Sequence, residues 1–385
     1  MKKLKIFLTF VVVTILFGTE ILTGESSTTT ISELITKTTE QLLLEEYTPK
    51  VIIQASFGNK PGEFGIAPSI NMKKGDTYYP NSIGVDSEEN IYILDPANQR
   101  IVKYDENGKF LGVIKLEIYP FGPTEEISQT IDKQGNIYIG DLVKYDAKGN
   151  LLVQYIAQPD CSGLPTFVAE KLKKEFEKVL SGQYQRKIKV IDRKQFGNFA
   201  SYGVKITEDG KTYLAINYNE NIKYFEFNEN NELREIKSPY INSRMSNIDN
   251  VWIVEGTKIN KYTQSILVFD QKNKKMEEII VKLPTNYIEN GFTLHYVSFQ
   301  KFVNENIFIK VMAKKFEEER KIQIVSLIMK FSKDGKLLAI IPIEKFENTI
   351  TTTISSKGNI YQMCHNIWTN EGRIQGLKVI KWEKK

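Results

Sequence analysis

At 385 residues, with 41% hydrophobic and 26% charged residues, the chain has the composition of a folded protein with a sizeable core, which excludes a disordered or low-complexity polymer. A net charge of +5 over that length, with no concentrated basic stripe, argues against a nucleic-acid partner. The 2 cysteines exclude a disulfide framework and leave room for at most one bridge, Cys161 to Cys364, with burial as small hydrophobes the plainer expectation.

In chain order, Lys2, Lys3 and Lys5 precede the apolar run Ile6 to Phe17. That run is short for a membrane span and suits the apolar region of a secretory signal. Residues 1–26 therefore read as a signal peptide, cut after Ser26 with Gly24 and Ser26 at the small-residue positions, or as an uncleaved signal anchor. On either reading the protein is extracytoplasmic, secreted or held at the membrane through this segment alone. Residues 27–49 read as a spacer or a short helix, since Ile31, Leu34 and Ile35 share a helical face while the many threonines disfavour one.

The stretch Pro80 to Leu116 holds four short runs rich in β-branched and aromatic residues. Turn chemistry separates them at Ser87 to Glu89, Asp95 to Asn98 and Glu106 to Gly108. Its first hairpin, SEENIYILD, is echoed by KQGNIYIGD, EDGKTYLAI, NIDNVWIVE, VNENIFIKV and SKGNIYQMC, whose strand aromatics are Tyr92, Tyr138, Tyr213, Trp252, Phe308 and Tyr361. A second hairpin follows the first five echoes, as KYDENGKFL, KYDAKGNLL, EFNENNEL, VFDQKNKKM and KFSKDGKLL. The sixth unit stops at GLKVIKWEKK, one strand short, and the orphan strand Lys50 to Phe57 is the candidate to complete it. Units of this kind bury their faces only against one another, and a borrowed first strand leaves no open edge. The expected fold is all-β: a six-bladed β-propeller over 50–385, with its N-terminal strand closing the last blade.

One segment exceeds any connector this plan needs, the insert 157–199 between blades two and three. Within it Phe167, Val168, Leu172, Phe176, Val179 and Leu180 recur at helical spacing from Pro165 to Ser181, before a stop at Gly182, which predicts an amphipathic helix packed on the propeller. The insert is biased towards positive charge through Lys171, Lys173, Lys174, Lys178 and the run Arg186 to Lys194. A charged tip, KKFEEERK at 314–321, projects from blade five.

The first unit, from FGNKPGEFGIAPSI to PNSIGVDSEENIYILDPANQRIVKYDENGKFLG, resembles an NHL repeat through Pro80, Asp86, Asn90, Asp95, Asn98, Arg100 and Ile101. The resemblance implies a six-bladed, TolB-like propeller of the kind found among exported bacterial proteins. It weakens along the chain, and its strong motif covers one blade. Asp95, Asn98 and Arg100 offer a polar ligand site, although Asp and Asn also fold back on their own turns and Arg clamps neighbouring carbonyls; the structural role is the preferred one.

For chemistry the sequence offers little. His295 and His365 are the only histidines, and no pair stands at metal-ligand spacing. Cys364 and His365 are adjacent on a strand, which sends their side chains to opposite faces. Related calcium-bound propeller hydrolases, of the gluconolactonase and paraoxonase types, gather oxygen donors at the starts of innermost strands. The residues so placed here are Asn81, Asn198, Asn247, Asp249 and Asn290, all of them ordinary turn formers as well. No catalytic residue, no cofactor-binding residue and no cofactor is expected, unless calcium occupies the channel. The leading reading is a non-enzymatic binding or scaffold propeller presenting loops to a protein, peptide or glycan in the cell envelope. The alternative is a calcium-dependent lactonase or esterase.

Overall fold

The structure is a computed structural model. It describes residues 44–68, 77–116, 129–132, 134–139, 143–157, 188–191, 200–206, 212–218, 221–227, 233–236, 245–248, 251–270, 275–317, 322–343, 349–368 and 374–385, with isolated positions between 166 and 181. From Glu45 onward they belong to one compact unit, Glu45–Lys385. It is built almost wholly of antiparallel sheets, most with four strands.

Sheet 1 takes Ser82–Val85, Ile91–Asp95, Arg100–Tyr104 and Phe110–Lys115 in chain order, matching the four runs and three turns legible in Pro80 to Leu116. Sheet 2 comprises Gln129–Ile131, Ile137–Ile139, Val143–Tyr145 and Leu151–Ala157. Sheet 3 comprises Ala200–Ile206, Thr212–Tyr218, Asn221–Phe227 and Leu233–Ile236; sheet 4, Met245–Ile248, Val251–Asn260, Thr263–Asp270 and Lys275–Lys282. Sheet 5 comprises Thr293–Val303, Asn306–Phe316, Ile322–Ser332 and Leu337–Pro342. A short helix, Thr285–Glu289, lies between sheets 4 and 5.

Sheet 6 joins the two ends of the unit. Its strands Thr349–Ile354, Ile360–Trp368 and Ile374–Lys384 are followed in space by Tyr47–Ser56, which pairs antiparallel with the last of them from Tyr47 opposite Lys384 to Ser56 opposite Gly376. The orphan strand thus fills the vacancy that the truncated sixth unit leaves. It begins at Tyr47 and not at Lys50, because Tyr47, Thr48 and Pro49 also find cross-strand partners.

The first strands of successive sheets lie against one another, sheet 1 to 2, 2 to 3, 3 to 4, 4 to 5, 5 to 6, and 6 back to 1. Apolar clusters fill the interfaces. Ile83, Ile91, Ile93 and Val102 of sheet 1 pack on Ile53, Tyr361, Met363, Leu377 and Val379 of sheet 6, with Phe64 in the same cluster. Tyr92, Leu94 and Ile101 meet Ile131, Ile137, Ile139 and Tyr145 at the next interface. The period-two alternation of these strands puts successive side chains into the cores on either side, so the runs read as nearly continuous hydrophobics. Polar contacts supplement them: the Gln129 N–H donates to Ser82 Oγ at 2.8 Å, and its side-chain amide to the Ser82 and Tyr92 carbonyls, tying sheet 2 to sheet 1.

The hairpin turns explain the repeat. In sheet 1 Asp86 Oδ1 accepts from the Glu88 and Asn90 N–H groups at 3.0 and 2.8 Å, while Oδ2 accepts from Asn90 Nδ2 and the Tyr92 hydroxyl, both at 2.9 Å. Sheet 2 repeats the device: Asp132 Oδ1 accepts from Gln134 and Asn136 N–H at 2.9 and 2.8 Å, and Oδ2 from Asn136 Nδ2 and the Tyr138 hydroxyl at 2.8 and 3.1 Å. A lysine on the next strand lies over each ring, Lys103 at 4.9 Å from Tyr92 and Lys144 at 5.3 Å from Tyr138. Burial first, and then the Asp86 carboxylate, hold the Tyr92 phenol well above its ordinary range, so it stays a donor. The recurring Asp, Asn, aromatic pattern is therefore a hydrogen-bonded turn and not a ligand motif.

The insert 157–199 also holds a strand, beyond the helix expected from Pro165 to Ser181. Ile188–Ile191, within the basic run Arg186 to Lys194, is a strand that pairs parallel with Gln154 to Ala157 and makes sheet 2 five-stranded. Ile188, Val190 and Ile191 supply the β-branched content that charge had obscured. Thr166, Glu170, Lys173, Lys174 and Glu177 have helical backbone and exposed side chains, and the Ser181 N–H donates to the Glu177 carbonyl at 2.9 Å. The apolar side of the expected helix, from Phe167 to Leu180, lies outside the described residues.

Candidate functional site

In each sheet the chain runs out and back twice, so its first and third turns lie at one end and its middle turn and exit at the other. At the first end the turns are short and close on themselves, Asp86 to Asn90, Asp105 to Lys109, Asp132 to Asn136, Asp146 to Asn150, Ser332 to Lys336 and Ser355 to Asn359. At the second end come the longer connections between sheets and the middle hairpin of sheet 5. Loops that are free to vary on a rigid scaffold are where binding residues sit.

The Asp95, Asn98 and Arg100 trio stands at the second end and is fully engaged with its own chain. Asp95, with no exposure, accepts from the Gly65 N–H at 3.0 Å, from Asn98 Nδ2 at 2.8 Å and from Arg100 Nε at 2.9 Å. Arg100 also donates to the carbonyls of Asn59, Lys60 and Glu63, at 3.1, 3.1 and 2.9 Å, and Asn98 Nδ2 reaches the Gly58 carbonyl at 3.1 Å. The trio pins residues 58–65, which lead from sheet 6 into sheet 1. A Cβ on Gly65 would stand 2.7 Å from Ala97 and 2.9 Å from Asp95 Oδ1, so only glycine fits there.

The five oxygen-donor candidates are not brought together by anything described. Asn81 is half-buried immediately before the first strand of sheet 1. Asn290 caps the short helix, its Nδ2 donating to the Asn286 carbonyl at 2.7 Å. Asn247 sits in the first strand of sheet 4, its side chain undescribed, while Asn198 and Asp249 lie outside the described residues. No cluster of three or more His, Cys, Asp or Glu able to hold a metal occurs among the described residues.

His295 is exposed on the first strand of sheet 5. Cys364 is buried, its thiol donating to the Lys378 carbonyl at 3.8 Å, and burial pushes that thiol up to about 11, against a small opposing effect of Lys378. A thiol held protonated at neutral pH is a packing residue and a poor nucleophile. Cys161 and the His365 side chain lie outside the described residues.

The sequence marks a charged tip at 314–321 but not the unpaired edge beside it. The middle hairpin of sheet 5 pairs Asn306–Phe316 with Ile322–Ser332 along its whole length, from Asn306 opposite Ser332 to Phe316 opposite Ile322. Its neighbours stop earlier: the first strand pairs only as far as Lys314, opposite Thr293, and the last only as far as Leu327, opposite Pro342. Proline has no N–H with which to extend a ladder, so the outer strand ends there. Among the described residues, Ile322–Ser326 thus has no strand on its outer edge. On one face of this overhang Phe316 is 64% exposed, Ile322 54% and Ile324 51%, with Lys314 Nζ 5.3 Å from the Phe316 ring. On the other face Ala313 and Val325 are buried in the core between sheets 4 and 5. The same row of side chains is covered nearer the centre, where Phe308 and Ile328 pack against sheet 6. It emerges into solvent because the hairpin outruns its neighbours.

No family model matches the chain, and no curated protein matches it. Among solved structures, a member of the DUF4221 family from Bacteroides vulgatus aligns over 89% of this chain and 99% of its own at 13% identity and a TM-score of 0.46. A virginiamycin B lyase from Staphylococcus aureus, a catalytically inactive variant solved with quinupristin, aligns over 88% and 100% at 12% identity and a TM-score of 0.40. A luciferin-regenerating enzyme aligns over 79% and 90% at 9% identity and a TM-score of 0.36. Likenesses this loose transfer neither an activity nor a ligand to this chain.

Proposed function

We propose that residues 45–385 form a six-bladed β-propeller of NHL type, exported from the cytoplasm, that acts as a binding or scaffold module and grips an extended segment of a protein partner along the overhang of sheet 5. Two things support the architecture: the first strands of the sheets succeed one another cyclically, and Tyr47–Ser56 completes sheet 6. The insert carries a helix in this reading, supported by the helical backbone at Thr166, Glu170, Lys173, Lys174 and Glu177. Export rests on the charged and then apolar start, Lys2 to Phe17.

The observation that carries the binding mode is the open edge Ile322–Ser326 beside three exposed apolar side chains. An unpaired edge offers main-chain N–H and C=O groups in register for another strand. Soluble proteins commonly guard such edges with charge, and these five residues carry none. Five residues span about 17 Å, enough for one short strand. The bound segment would place an apolar residue beside Ile324 and a carboxylate within reach of Lys314.

Panning a phage-displayed library of linear peptides against the full chain tests this. Enriched peptides should combine apolar and acidic residues, and Phe316→Ser with Ile324→Lys should weaken them about ten-fold or more while leaving the melting temperature unchanged. A protein that enriches no peptide, yet purifies with stoichiometric calcium and turns over a lactone or ester until a chelator is added, would be a hydrolase instead.

A further inference from the structure

Sheet 6 lacks an oxygen that sheets 1 and 2 possess. Where they have Asp86 and Asp132, it has Ser355, whose single Oγ accepts from the Lys357 and Asn359 N–H groups, both at 3.2 Å. Nothing in that turn is left for the Asn359 amide or the Tyr361 hydroxyl, whose counterparts in sheets 1 and 2 bond to the second aspartate oxygen. Both donate across the interface to Oε2 of Glu89 in sheet 1, each at 2.7 Å. Lys381, 5.7 Å above the Tyr361 ring, brings its Nζ to 3.9 Å from the same oxygen and 2.8 Å from Glu383.

Glu89 stands where the repeat calls for glycine. Its φ is +72, and the residues at the same turn position in sheets 2 and 6 are Gly135, at +79, and Gly358, at +84. A side chain on left-handed backbone is strained, and a carboxylate with no exposure has surrendered its hydration. Its Oε1 is buried with no hydrogen-bond partner. Glycine would remove all of these penalties, so what offsets them lies in what the side chain reaches.

We infer that Glu89 is a clamp across the ring junction: sheet 1 supplies the carboxylate that the first turn of sheet 6 does not contain. The three strands from Thr349 to Lys384 meet the start of the unit only through non-covalent contacts, and two donors on them, the buried Tyr361 hydroxyl and the half-buried Asn359 amide, reach their acceptor only when the ring is closed. Closure and completion of the sheet 6 polar network are then one event.

Hydrogen exchange on the full chain tests the clamp. Glu89→Gly relieves the backbone yet should speed exchange about ten-fold or more at Ser82–Val85, Ile91–Asp95 and Ile360–Cys364, with Ile266–Val268 of sheet 4 unchanged. Adding Ser355→Asp to that variant restores an in-sheet acceptor, as in sheets 1 and 2. It should recover protection of the turn from Ser355 to Asn359 but not of the two sheet 1 strands. Should Glu89→Gly fail to fold, Ser355→Asp alone suffices, because its carboxylate competes for the same donors, expels Glu89 and should loosen the junction. Unchanged or slower exchange at the junction in Glu89→Gly or in Ser355→Asp, or full recovery of both sides in the double variant, would overturn the inference and reduce Glu89 to a local turn residue.

Discussion

Asp95 serves the fold, in the structural role preferred for its trio. With no exposure and four accepted hydrogen bonds, from Gly65, Arg100 and twice from Asn98, it has no lone pair directed at solvent. Asp95→Ala strands a buried guanidinium, and it should cost about 3 to 5 kcal/mol by urea unfolding, with residues 58–65 becoming protease-sensitive. Gly108 is a second such position. Its φ is +84, and a Cβ there would fall 1.8 Å from the Ile52 carbonyl oxygen in the closing strand. Backbone on both sides cannot give way, so Gly108→Ala should destabilise by more than about 2 kcal/mol in the same measurement. The turn aspartates were legible in the sequence because each bonds within its own few residues. What Asp95 and Glu89 reach was not, since their partners stand about 30 and 270 positions away.

Among the elements, short hairpins were the most legible, because Asp, Asn and Gly at fixed offsets dictate their own turns. The strand Ile188–Ile191 was hidden among lysines and arginines, and its parallel partner lies beyond a long excursion. The overhang of sheet 5 was visible only as a charged tip. Ile322, Gln323 and Ile324 alternate like any half-buried strand, and nothing local says that the neighbouring strand stops at Pro342. Since those isoleucines are more than half exposed, Ile322→Thr with Ile324→Thr should leave the unfolding free energy within about 0.5 kcal/mol of the parent while reducing self-association at high concentration by light scattering. A large loss of stability instead would mean that the overhang is packed and not presented.

For the whole molecule, closure depends on charges as well as on the cores. Glu45, just ahead of the closing strand, bridges Lys330 of sheet 5 at 2.5 Å and Lys384 of sheet 6 at 2.8 Å. Burial is the largest single influence on its carboxyl and raises it, but the hydrogen bonds and charges of the two lysines together outweigh burial and hold it below its ordinary 4.5. A carboxylate lowered by folding contributes stability that is complete above the unfolded value and lost as pH falls through the folded one. Thermal melts of the parent and Glu45→Gln should therefore differ at neutral pH and converge as the pH falls below the ordinary carboxylate range. A gap that persists in acid would mean that packing, not charge, accounts for it.

The closing strand also fixes where the chain can be held. Tyr47 lies opposite Lys384, and the Lys385 N–H donates to the Glu46 carbonyl at 3.0 Å, so both ends of the unit leave side by side at the end of the short turns. The overhang of sheet 5 is at the opposite end. An affinity tag fused directly at Glu45 or at Lys385 would therefore leave the open edge at the end of the unit away from the support.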